Sequence, residues 1–283
     1  MRLGLVTPVL TLNPRAHNAW EETAGFDAVV AIAEAADRLG WHHVTCSEHV
    51  AVPQSVAPTR GSRYWDPLAT FGYLAARTER LRLATHVLVV GYHHPLAIAK
   101  RYGTLDRVSG GLLILGLGVG SLAEEFALLG VPFEGRGERA DAAIGAVRAS
   151  LSVRQPPSYE GRYIVDPWAL QDPLPIWIGG RTARSLRRAV ELGDAWVPFG
   201  IPLEDEVRML ARARQTDAWQ RRVKALEIVL YAEGLDPLGD AASARRAIEE
   251  RAAAGAGLVN VRMVHRDLTH CLEQMEAMIE LAS

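Results

Sequence analysis

Residues 176–196, IWIGGRTARSLRRAVELGDAW, decide the fold. Ile176-Trp177-Ile178 is apolar, β-branched and aromatic, as a buried strand should be. Gly179-Gly180 lets the backbone turn through conformations closed to other residues. Thr182 or Ser185 can cap a helix whose apolar stripe includes Leu186, Ala189, Val190 and Leu192. Gly193 closes that helix, and Ala195-Trp196-Val197 opens another strand. A glycine turn that feeds a helix N-terminus presents bare N–H groups and a positive dipole end, which suits a phosphate. A plain strand-to-helix connection, with glycine for tight packing, is the other reading of the same residues.

The βα unit recurs along the whole chain. Arg2–Thr7 reads as a strand stopped by Pro8. A polar loop over 11–24 follows, then a helix over Phe26–Leu39, where Val29, Val30, Ile32, Ala33, Ala36 and Leu39 share one face. His43–Cys46 reads as the second strand, residues 47–65 as a long loop without period, and Asp66-Pro67 as the start of a helix to Ala76. Leu81–Val90 is the third strand, with a helix from Pro95 to Val108. Leu112–Leu117 is the fourth, with a short helix near AEEFALLG and a longer one over Glu138–Leu151. A proline-rich excursion over about 155–174 precedes the opening stretch. Strands over 195–199, 226–232 and 258–264 then alternate with helices over 204–222, 241–254 and 268–281. Parallel strands need helical crossovers, so eight such units predict a closed (β/α)8 TIM barrel, an α/β fold in one domain over residues 1–283. An open doubly wound sheet would carry a Gly-rich fingerprint after its first strand, where Pro8 and a polar loop stand instead.

Composition narrows the function class. The 283 residues are 49% hydrophobic and 23% charged, enough for a large core. A net charge of -2 points away from nucleic acid and anionic membranes. The opening MRLGLVTPVLTLNPR reads as too short and too broken by proline for a signal peptide. No apolar run reaches the ~20 residues of a spanning helix. Cys46 and Cys271 have no metal-ligand spacing, and the expected location is the reducing cytoplasm.

In such a barrel the chemistry sits on loops at the C-terminal strand ends, here beginning at Pro8, Ser47, Gly91, Gly118, Gly179, Gly200, Glu233 and His265. His49, in Ser47-Glu48-His49, stands beside a carboxylate and can move a proton near neutral pH. His93 and His94 lie nearby, but without a His-Glu-x-x-His or cysteine cluster no metal is expected; His94 before Pro95 suits a helix start. Gly116–Gly120 allows close approach of a flat ligand, or is a strand thinned for packing. Glu124-Glu125 reads as exposed helix, and Arg187 and Arg188 as a solvated face. Arg181, first in its helix, points toward any anion bound there. Trp65 is a candidate cover for a bound ring or a packing residue.

These motifs resemble a known family. Ser47-Glu48-His49, His94-Pro95, TLDRVSGG over 104–111, LGLGVGSLAEEFALLGVPFEGRGER over 115–139, YEGRY over 159–163, the opening stretch and GLVNVRMVHR over 257–266 are together similar to the bacterial luciferase-like flavin and deazaflavin oxidoreductases. Within that family the chain is most similar to short members that use coenzyme F420. The resemblance implies a (β/α)8 barrel and an F420-dependent oxidoreductase moving a hydride to or from a small organic substrate. An FMN-dependent monooxygenase fed by a separate reductase, and a non-catalytic flavin-binding protein, are the alternatives. It implies a ring site against strand three at a non-proline cis peptide near Thr85-His86-Val87, further ring and tail contacts at Gly118, Val119, Gly120 and Glu124, and a phosphate at Gly179, Gly180, Arg181 and Thr182. His49 is implied as the acid or base. Ser121 stands where the family's sugar-phosphate dehydrogenases have a catalytic Glu, which argues against that substrate. Relatives often dimerise, so a homodimer is a further expectation.

Overall fold

In the computed structural model, which describes residues 1–151, 158–159 and 162–282, the β-branched segments close into a ring of parallel strands. β1 (Arg2–Leu5) pairs with β2 (His43–Cys46), and β2 with β3 (Arg82–Thr85). The chain leaves the ladder after Thr85 and resumes as β4 (Leu88–Val89). β5 (Leu113–Gly118) pairs with both pieces. β6 (Ser158–Tyr159) and β7 (Tyr163–Ile164) form a separate antiparallel hairpin in the excursion. The ring continues through β8 (Ile176–Gly179), β9 (Ala195–Val197), β10 (Glu227–Leu235) and β11 (Leu258–Met263), which returns to β1 with Leu3 opposite Val259. The fold is the expected (β/α)8 TIM barrel. Much of the expected excursion, residues 152–157 and 160–161, lies outside the described residues.

The helical crossovers follow the apolar periodicity. They are α1 (Phe26–Leu39), α2 (Ala57–Arg60), α3 (Pro67–Leu74), α4 (Pro95–Val108), α5 (Ala123–Leu128), α6 (Arg136–Leu151), α7 (Ala183–Leu192), α8 (Leu203–Ala213), α9 (Asp217–Gln220), α10 (Ala241–Ala253) and α11 (Leu268–Ala282). Their ends carry the chemistry expected of caps. Gly40 ends α1 at φ 81°, and Asp66 accepts the Ala69 N–H at 2.8 Å to begin α3. The expected helix over 204–222 is two helices, because the Thr216 hydroxyl takes the Trp219 N–H at 3.3 Å and restarts the chain as α9. Arg188 departs from its expected solvated face: it is buried and pairs with Asp141 of α6, donating also to the Gly137 carbonyl at 2.9 Å. No described helix is long and apolar enough to cross a membrane.

Alternation along the strands sorts side chains between two cores. Leu3, Leu5, Val44, Leu83, Leu115, Ile178 and Trp196 join the shell under the helices. Ala84, Ile114, Trp177, Ala195, Val197, Val229 and Leu258 fill the barrel. The interruption of the third strand shapes the mouth. The His86–Val87 peptide is cis, and Val87 projects toward β5 and β8. A Cβ at Gly179 would meet Val87 Cγ1 at 2.6 Å, a Cβ at Gly118 would collide with Val87 Cγ2, and one at Gly116 would collide with the Thr85 carbonyl. These glycines are therefore required for close approach of one strand to another.

Gly116→Ala is expected to destabilise the protein by about 1–3 kcal/mol or more, because the obstacle is backbone rather than a movable side chain. Gly72→Ala, in α3 with nothing within 4 Å of its Cβ position, is expected to stabilise by about 0.5–1 kcal/mol through helix propensity. Urea unfolding of both variants checks the contrast; an equal effect of the two would contradict the clearance argument.

Candidate active site

Past Cys46, the residues that follow β2 cross the gap in the third strand. The Ser47 hydroxyl donates to the His86 carbonyl at 2.8 Å, and the Glu48 N–H to the Val87 carbonyl at 3.3 Å. One Glu48 carboxylate oxygen accepts the Val89 N–H at 2.7 Å; the other meets His93 Nε2 at 2.6 Å. His49 then turns toward α5. Its Nδ1 lies 2.6 Å from Glu125 Oε2, which also accepts the Tyr92 hydroxyl at 2.7 Å. Glu125 Oε1 accepts the N–H groups of Val50 at 2.6 Å and Ala51 at 3.1 Å. The Glu125 side chain is sealed from solvent, while His49 keeps 14% of its side chain exposed. Burial pushes the Glu125 carboxyl up, but the Tyr92, His49 and Ala51 donors outweigh it and hold it below the usual range. Glu125 is therefore a carboxylate at neutral pH.

The loop over 50–65 lies against this group. Tyr64 meets the His49 ring edge-on at 4.5 Å and donates to the Arg60 carbonyl at 2.8 Å; Arg60 reaches Ser121 Oγ at 3.0 Å. The loop is thus joined to the turn after β5.

Of the residues expected to hold a cofactor, Thr85, His86, Gly118 and Gly179 meet at Val87 from three strands. Thr85 is fully buried and its hydroxyl donates to the Gly116 carbonyl at 2.8 Å. His86 Nε2 is sealed from solvent and has no partner among the described residues. Its ring is held down to about 4 by burial and is neutral at pH 7. Gly118 and Gly179 face Val87, Gly120 faces Phe126, and Val119 packs on the core. Gly180, at φ 134°, sits against Ser185 in a conformation that excludes other residues. Thr182 caps α7 reciprocally with Ser185, so its own N–H is already bonded at 3.1 Å. Arg181 is exposed and lines a cavity of about 190 Å³ with Ile201, Asp205, Arg208, Met209 and Arg212. Asp205 pairs with Arg208, which leaves Arg181 and Arg212 to suit an anionic group, and a buried ring nitrogen without a partner suits a polar ring edge. The residues present fit a flavin-type cofactor in both respects.

Other expectations fall differently. Glu124 is exposed, whereas its neighbour Glu125 turns inward to His49. Glu125 and Tyr92 had no local signal, since their partner lies 76 and 43 residues away in sequence, and only the barrel joins them. Trp65 stacks on Phe26 at 5.0 Å and is a packing residue. His94 caps α4 by accepting the Leu96 N–H at 3.2 Å, as expected. Among the described residues no His, Cys, Asp and Glu cluster could hold a metal ion.

A parallel (β/α)8 barrel with a histidine–carboxylate pair at its C-terminal mouth belongs to the class of barrel enzymes. The chain belongs to the luciferase-like monooxygenase family, whose model matches residues 1–233. An uncharacterized protein of Mycobacterium tuberculosis is 29% identical over 212 residues, covering 69% of this chain and 73% of that protein. The oxygenase component of a flavin-dependent trigonelline monooxygenase from Acinetobacter baylyi is 27% identical over 177 residues, covering 59% of this chain and 47% of its own length. An F420-dependent secondary alcohol dehydrogenase, solved with an F420-acetone adduct, shares the fold at a TM-score of 0.72 and 14% identity, covering 100% of this chain and 99% of its own.

The buried histidines set a pH dependence. His42, His86 and His265 are each held down to about 4 from 6.5, chiefly by burial. Between those values only the unfolded chain binds their protons, so their contribution is complete above 6.5 and is lost as pH falls toward 4. Glu206, raised to about 7 by burial, runs the other way. His43 is likewise held well below 6.5 by burial, while His17 is raised by its bond to Glu22; four groups outweigh two, so unfolding free energy is expected to fall from pH 6.5 to about pH 4.5. Urea melts across that window measure it, and a flat profile would contradict the burial of these rings.

Proposed function

We propose that this protein is an F420-dependent oxidoreductase that interconverts a small alcohol and its carbonyl compound, with His49 carrying the proton that accompanies the hydride. The observation that carries the reading is the His49–Glu125 pair. One ring nitrogen is engaged by a buried carboxylate, and the other has no hydrogen-bond partner among the described residues. Removing a hydride and a proton from an alcohol needs one such base. When bound, the deazaflavin supplies the carbon that accepts or returns the hydride. His86 Nε2, buried and unpartnered among the described residues, would meet its ring edge, and Arg181, with Arg212, its anionic end. Tyr64, the Arg60–Ser121 link and the remainder of loop 50–65 exclude water beside His49. The shared fold of the F420-dependent alcohol dehydrogenase supports the reading. Cys46 and Cys271 are both free thiols, consistent with action in the cytoplasm.

A second reading, an FMN-dependent monooxygenase, draws support from the trigonelline enzyme. Titrating the purified protein with F420, FMN and FAD separates the two: the expected result is F420 binding, and tight FMN binding without F420 binding overturns the main reading. His49→Ala is expected to keep cofactor affinity and to slow turnover about 10²–10⁴-fold across an alcohol panel. Arg181→Glu is expected to weaken cofactor binding severalfold by placing a like charge beside the anion; unchanged affinity would remove Arg181 from the site.

A further inference from the structure

We propose that Glu125 is a positioning residue that fixes His49 in the tautomer with its proton on Nδ1, leaving Nε2 bare toward the site. The inference rests on His49 being the proton carrier of the proposed function, but the geometry stands by itself. A carboxylate only accepts, with about four lone-pair positions. Four donors reach Glu125: the Val50 and Ala51 N–H groups on Oε1, and the Tyr92 hydroxyl and His49 Nδ1 on Oε2. A bare Nδ1 at 2.6 Å from a carboxylate oxygen would set lone pair against lone pair, so Nδ1 carries the proton. Tyr92 keeps its own proton, since burial and then its bond to Glu125 raise its pKa. The remaining proton-accepting atom of this group is His49 Nε2.

The neighbouring histidine–carboxylate pair, His93 with Glu48, makes the contrast. His93 is held at Nε2, the nitrogen farthest from its backbone, so its outer edge is already engaged by Glu48. His49 is held at the inner nitrogen and presents the outer one. Glu125 also bonds the two residues that directly follow His49. One carboxylate thereby fixes the proton, the ring and the backbone that bears it.

The test uses the full chain labelled with ¹⁵N-histidine, without cofactor, at alkaline pH where ordinary histidines are neutral. Long-range ¹H–¹⁵N correlation reads the tautomer, and a His49→Gln spectrum identifies the His49 signals. The wild-type protein is expected to show a protonated Nδ1 and a bare Nε2. In Glu125→Gln the new amide N–H₂ faces Nδ1, so the tautomer is expected to invert, and turnover to fall about 10²–10⁴-fold with cofactor affinity unchanged. Tyr92→Phe leaves the carboxylate in place and is expected to keep the wild-type tautomer. A wild-type His49 protonated at Nε2, or a Glu125→Gln spectrum identical to wild type, overturns the proposal; the first reading decides it even where the variant does not fold. If the tautomer is as expected but His49→Ala turns over normally, the proposed function fails and the positioning role stands.

Discussion

Val87 has room only because residues 118 and 179 carry no side chains. Parallel closure brings β5 and β8 together at the point where the third strand leaves the ladder, and the displaced Val87 must enter the barrel mouth. Close-packed interiors do not absorb an additional Cβ there. The same displacement presents His86 and frees the ends of β2 and β4 to be joined by side chains. The site is thus built around an interruption of the barrel. A regular third strand would fill the mouth with an ordinary layer of side chains and would leave Ser47 and Glu48 without the groups they bond.

Carboxylates carry much of the assembly beyond the strands. Past its C-terminal end, a strand's backbone N–H groups have no ladder partner, and buried ones must be satisfied. Glu21 accepts Val9 N–H at 2.8 Å and Asn18 N–H at 2.8 Å while pairing with Arg262 of β11 at 2.9 Å. Asp106 accepts Leu170 and Gln171 N–H groups at 2.8 and 2.9 Å, which fastens the end of the excursion to α4. Asp37 does the same for the turn before β3, taking the N–H groups of Glu79, Arg80 and Leu81. Each links segments distant in sequence by drawing several donors onto one side chain; at Glu21 burial pushes the carboxyl up, but Arg262 and the Val9 and Asn18 donors outweigh it and hold it below the usual range.

This explains which features the sequence makes legible. Periodicity is local, so α1, β2 and α4 fall on the expected residues, and most other ends lie within two. Family motifs locate His86–Val87, the β5 turn and the start of α7 as one neighbourhood. Features set by tertiary pairing are not legible. Glu124 and Glu125 are chemically identical neighbours, and only the placement of α5 against the β2 loop decides which one turns inward. Arg188 looks like surface until Asp141 of α6 is packed against it. Trp65 offers the same indole to a ligand or to Phe26, and the loop's path selects Phe26.

Ser47-Glu48-His49 divides its work in a way that its spelling does not reveal. Ser47 and Glu48 supply the hydrogen bonds that β2 and the third strand lose at the gap: to the His86 carbonyl, the Val87 carbonyl and the Val89 N–H. Glu48, though adjacent to His49, is occupied by this repair and by His93, so it cannot also orient the next ring. The carboxylate that does so must come from another element, and α5 supplies it. A motif that reads as a proton-transfer pair of neighbours is therefore two structural residues followed by the histidine proposed to carry the proton. The His49–Glu125 pair exists only once the barrel has closed.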